Sequence, residues 1–82
     1  MALPASLARL IAALKTLPGR IAKLEASIGA LQDKLGDPQL YARDQAAFAE
    51  LSAALVNAQA DLEAAEAEWL ELEMLREEIE GG

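Results

Sequence analysis

The chain contains no cysteine and no histidine. Disulfides and thiolate chemistry are thereby excluded, and the commonest metal ligand and the usual neutral-pH general base are missing. Aromatic residues are scarce, with Tyr41, Phe48 and Trp69 making up the whole set. β-branched residues are few as well, which leaves little from which to build a sheet. No Gly-x-x-x-x-Gly-Lys-Ser/Thr loop, no Gly-x-Gly-x-x-Gly and no paired metal motif occurs. No catalytic, cofactor-binding or metal-ligating residue is therefore assigned, no cofactor is expected, and the chain is read as not an enzyme. The first fifteen residues are apolar, but Arg9 interrupts them, and no run approaches the ~20 residues of a membrane span. A soluble chain with no membrane partner is expected.

What remains is a sequence rich in alanine and leucine, with Glu, Lys, Arg, Gln and Asp at most polar positions. All of these except Asp are good helix formers. At 82 residues the chain makes one small domain, whose core must be efficient or shared with a partner. The expected fold class is all-α: an antiparallel two-helix coiled-coil hairpin with an additional short N-terminal helix.

The periodicity carries that expectation. Leu17, Ile21, Leu24, Ile28, Leu31 and Leu35 alternate spacings of four and three, which turns one narrow apolar seam toward a neighbouring helix. Leu3, Leu7, Leu10 and Leu14 continue the frame upstream, with Pro18-Gly19 intervening. Proline inside a helix loses a backbone hydrogen bond and clashes with the preceding turn. A kink or break is therefore predicted there, and a break is favoured, with a helical segment in residues 1–16 and a hairpin over 17–82, its helices at about 18–35 and 45–80. Gly36-Asp37-Pro38 ends the first long helix, with glycine suited to a left-handed C-cap and Asp-Pro to a cap and first turn. Residues 39–43 make one turn, and Asp44 is the N-cap of the second helix.

That helix has its own heptad, with Phe48, Leu55, Leu62 and Trp69 at one core position and Leu51, Ala58, Ala65 and Leu72 at the other. Two registers fit. Ile28 meets Ala58 and Ile21 meets Ala65, or, slipped by a heptad, Ile21 meets Ala58. Arg20 then faces Glu68 or Asp61. The end with Trp69 and Leu72 needs the N-terminal segment or another chain to cover it.

Charge is divided unevenly. Residues 1–35 carry Arg9, Lys15, Arg20, Lys23 and Lys34 against two acids, whereas residues 36–82 carry Arg43 and Arg76 against twelve, and the whole chain is −7. The acidic run toward the C-terminus reads as a solvated helix face, because a calcium site needs a glycine turn and converging loop oxygens. The bases of the first helix allow two readings: a phosphate-tracking stripe, or charge pairing across the hairpin. The second is favoured, since no aromatics are interleaved to stack on bases. Apolar residues off the seam, Ile11, Val56, Leu70, Met74 and Leu75, make the distal end apolar on more than one side.

From Leu17 to Leu72 the chain resembles the C-terminal coiled-coil domain of the Uup-type branch of the ABC-F ATPases. The carriers are Leu17-Pro18-Gly19-Arg20-Ile21 with Lys23-Leu24-Glu25, the hinge Gly36-Asp37-Pro38-Gln39-Leu40-Tyr41-Ala42-Arg43-Asp44, and Ala67-Glu68-Trp69-Leu70-Glu71-Leu72-Glu73. Residues 1–16 depart from the family pattern. The resemblance implies an antiparallel hairpin that follows two ATP-binding cassettes in a cytoplasmic ATPase and binds DNA or ribosomal RNA. Carried over by position, nucleic acid would meet Arg20 and Lys23, with Arg43 at the hinge. The alternative is a protein-interaction module in which Trp69, Leu70, Met74 and Leu75 dock on the ATPase body or on a second copy as a homodimer.

Overall fold

The two leucine seams pair as their spacing requires. The computed structural model describes residues 5–81 and consists of α1 (Ala5–Leu35), α2 (Leu40–Arg43) and α3 (Gln45–Gly81). There is no strand among the described residues. α1 and α3 lie against each other along their length in an antiparallel hairpin, and the molecule measures 62 × 21 × 14 Å. α2 is a single turn at the bend.

Every described α1 seam residue is buried or half-buried, from Leu7 to Leu35, and so are all eight α3 seam residues from Phe48 to Leu72. Leu10, Leu17 and Ala65 are the fully buried ones, at 5%, 4% and 2% exposed. Burial of a Leu or Ile contributes about 1.5–3 kcal/mol relative to exposure, so these seams hold the hairpin. Leu7 and Leu10 share a cavity with Leu75 and Ile79, and Asp33 and Lys34 share another with Leu51. Antiparallel pairing drawn between those two fixed points puts Ile21 beside Ala65 and Ile28 beside Ala58. Of the two registers, the structure thus adopts the unslipped one, in which both alanines let the helices approach closely.

Three expectations are corrected. The break at Pro18 does not form: α1 is continuous from Ala5 to Leu35 with Pro18 inside it. The segment before the proline and the helix after it are one element, and the short extra helix is α2, at the bend. Pro18 is exposed at a position flanking the seam. Beside it the seam passes through Leu14, Leu17 and Ile21 without losing its frame, and burial against α3 outweighs the local penalty. The N-terminal half of α1, and not another chain, covers the end of α3 that carries Trp69 and Leu72.

Gly36 does not enter the left-handed region, since no described glycine has positive φ. Its N–H donates to the carbonyl of Gln32 at 2.9 Å, as one further helical bond. The reversal is made one residue later. Leu40 N–H donates to the Asp37 carbonyl at 3.2 Å, a β-turn with Asp at its first position and Pro at its second, the residue types that favour this turn. Asp44 caps α3 as expected, its Oδ1 accepting from Ala47 N–H at 3.0 Å. Tyr41 and Phe48 meet edge-to-face with ring centroids 5.2 Å apart and fasten α2 to α3.

Third, Arg20 pairs with neither Glu68 nor Asp61. The ion pairs among the described residues are Arg43–Asp37 and Arg76–Glu73, each 2.8 Å and each within one end of the hairpin. An exposed pair gains about 0–1 kcal/mol and must immobilise two long side chains, so nothing compels Arg20 to close one.

Candidate interaction surfaces

Three surfaces remain once the seam is buried. The first is a basic edge on α1. In the heptad frame set by Leu17 and Ile21, Arg9, Arg20, Lys23 and Lys34 fall on adjacent flanking positions of the same side, all exposed. The same face of the hairpin carries Glu50, Asp61, Glu68, Glu71 and Glu78 of α3 in equivalent flanking positions, also exposed. A phosphate backbone approaching the bases would meet these carboxylates one helix away.

Arg43 does not join this edge. It lies on α2 at the bend, about 20 Å along the axis from Arg20 at 1.5 Å per residue. Its Nη2 donates to Asp37 Oδ2 at 2.8 Å, while Asp37 Oδ1 accepts from Gln39 N–H at 2.9 Å. The guanidinium is thus held by the carboxylate that shapes the turn. Of the three sequence-assigned nucleic-acid residues, the fold groups two.

The second surface is the outward face of α3. Trp69 is a half-buried seam residue and lies apart from the neighbours assigned with it. Leu70 and Met74 are 59% and 54% exposed and sit on the opposite side of the helix. They continue a line of Ala46, Ala49, Ala53, Val56, Ala60 and Ala67, with Glu63 as its one polar member. The spacing alternates three and four, so α3 has a second narrow apolar stripe almost diametrically across from the first. Sequence reading picked out Val56, Leu70 and Met74 but missed the stripe, because alanines at this density fall on every face.

The third is the open end. Leu75 lies with Ile79, Leu7 and Leu10 around a cavity of about 300 Å³. Arg76 occupies the seam position that follows Trp69 by one heptad, and its side chain pairs with Glu73. Among the described residues no group of acids could hold a metal ion, and no helix is long and apolar enough to cross a membrane.

No curated protein and no solved structure gives a match to the chain. The family described as ABC transporter C-terminal domain matches over residues 8–74, a span that takes in most of α1, the bend with its Asp37 turn, and α3 as far as Met74. The paired seams from Leu10 onward and the capped bend lie within it, and on that match the chain belongs to the ABC transporter C-terminal domain family.

Proposed function

We propose that this chain is the non-catalytic coiled-coil arm of a Uup-type, ABC-F ATPase, and that it works by docking on protein, with the ATP-binding cassettes of its parent as the first partner. The observation that carries this reading is the exposed apolar stripe on α3. Val56, Leu70 and Met74 are each more than half exposed, although α3 already packs a seam from Phe48 to Leu72 against α1. Leaving three large apolar side chains aligned in water has no benefit for the hairpin alone, and such patches serve as contact surfaces.

The test is titration calorimetry of the cassettes, expressed without this domain, with the separate hairpin. Binding is expected, and Leu70→Ser with Met74→Ser should weaken it at least tenfold while helicity is unchanged. Cassettes that ignore the wild-type hairpin would overturn the reading.

A second reading, a DNA or RNA contact, is favoured by one observation. Arg9, Arg20, Lys23 and Lys34 share an edge, and none of them is engaged in an ion pair among the described residues. Fluorescence anisotropy of labelled DNA and RNA at low and moderate salt tests it. On this reading binding weakens with salt and is lost in Arg20→Glu/Lys23→Glu. The acidic residues of the facing helix make the protein-docking reading the stronger one.

A further inference from the structure

α1 also has an outward face, and it is the counterpart of the one on α3. Ala8, Ala12, Lys15, Gly19, Ala22, Ala26 and Gly29 repeat at spacings of three and four on the side away from the seam, with Lys15 as the one large member. Two of these are glycines within a helix, where glycine costs about 1 kcal/mol relative to alanine. A Cβ built at Gly19 or at Gly29 would meet no atom within 4 Å. Nothing inside the hairpin therefore requires either residue to lack a side chain, and close approach of something outside it would.

We infer that this hairpin self-associates edge to edge, the outward face of α3 in one copy seating on the outward face of α1 in the next. This rests on the docking reading of α3 and names a second copy as an occupant of that stripe. Shape is complementary, because the α1 face is small apart from Lys15 whereas the α3 face projects Val56, Leu70 and Met74. Charge is complementary as well. The α1 face has Lys15 in its line and Arg9 and Lys23 along its border, the α3 face has Glu63 in its line and Glu71 and Glu78 along its border, and no ion pair within the described chain engages any of the six.

The two borders also match in register. If the second copy repeats the antiparallel register of the internal pair, Val56 faces Gly29, Ala67 faces Gly19 and Met74 faces Ala12. The same alignment brings Glu63, Glu71 and Glu78 alongside Lys23, Lys15 and Arg9. An α3-to-α3 dimer would instead set the acid-rich helices of two chains of net charge −7 against each other. The α1-to-α3 contact is heterologous, so each copy keeps one free edge and assembly does not stop at two.

Sedimentation velocity of the full chain across a range of concentrations, at low and high salt, reads this directly. The expected result is a distribution that extends past dimers as concentration rises and shrinks as salt screens the charged borders. Gly19→Leu/Gly29→Leu blocks the α1 edge without touching the hairpin's interior, and Leu70→Lys/Met74→Lys blocks the α3 edge. Each variant alone should be monomeric with wild-type helicity, and an equimolar mixture should form 1:1 dimers and nothing larger.

The single variants Gly19→Ala and Gly29→Ala add a separate readout. At dilution each should raise the melting temperature by roughly 2–8 °C, yet each should weaken association several-fold. A wild-type chain that stays monomeric under all conditions overturns the inference, as does a glycine double variant that still assembles. Either result leaves cassette binding by the hairpin, measured separately, standing or falling on its own.

Discussion

Arg43 Nη2 lies 2.8 Å from Asp37 Oδ2 across the bend of the hairpin, and the other oxygen of the same carboxylate accepts the N–H of Gln39. One side chain thus shapes the turn and anchors the short helix that follows it. A basic residue in a chain suspected of meeting nucleic acid is already occupied within its own fold.

Asp37→Ala removes both contacts and is expected to lower stability by about 1–2 kcal/mol, the range for a lost cap. Arg43→Ala should lose less, about 0–1 kcal/mol, because both partners are largely exposed. Urea denaturation of the single and double variants checks the pair. Once Asp37 is gone, removing Arg43 should have little further effect. An additive double variant would show that the two residues act independently.

Leu10 tests whether the N-terminal part of α1 belongs to the core. It is 5% exposed and lies among Leu7, Leu75 and Ile79, so Leu10→Ala should cost about 2–4 kcal/mol. Unfolding should remain a single transition with a lower midpoint. A stability indistinguishable from that of the native chain would mean that residues before Pro18 are an appendage.

Pro18 is the converse case, a residue tolerated at a cost. It is exposed within an unbroken helix, and Pro18→Ala restores a donor to the Leu14 carbonyl. A gain of about 1–3 kcal/mol is expected, visible as a higher urea midpoint with an unchanged slope. A loss of stability would mean that the proline bends α1 along α3 in a way the seam requires.

These residues also mark how far the sequence could be read. The seams were fully legible, because a three-four alternation over Leu17 to Leu35 and Phe48 to Leu72 has one physical interpretation. The Asp44 cap and the single turn before it were legible from local chemistry. Continuity through Pro18 was not, since a local rule against proline competes with burial of leucines on both sides of it, and only the packed partner decides. The register was open because Ala58 and Ala65 are a heptad apart and equally small. The pairing of Arg43 was not legible because its partner is six residues back and is reached only after the chain has turned. The second face of α3 was hidden among alanines, visible only once one side of the helix was known to be covered.

Arg76 offers a gain of function for the fold. It stands at a core position of the α3 heptad, yet its side chain leaves the seam for Glu73 and remains about half exposed. At the same end of the hairpin a cavity is lined, among the described residues, by Leu7, Leu10, Leu75 and Ile79. Arg76→Leu would place an apolar group where the heptad calls for one, and burial of that side chain is expected to add about 1–2 kcal/mol. The surface pair with Glu73 that it removes contributes no more than about 1 kcal/mol, so the sum stays positive. Thermal melts of Arg76→Leu and Arg76→Ala separate the two effects. The leucine variant should melt several degrees above the alanine one, because both lose the ion pair and only leucine adds a large apolar group to the seam. Equal melting temperatures would mean that the open end of the hairpin stays splayed whatever side chain occupies position 76.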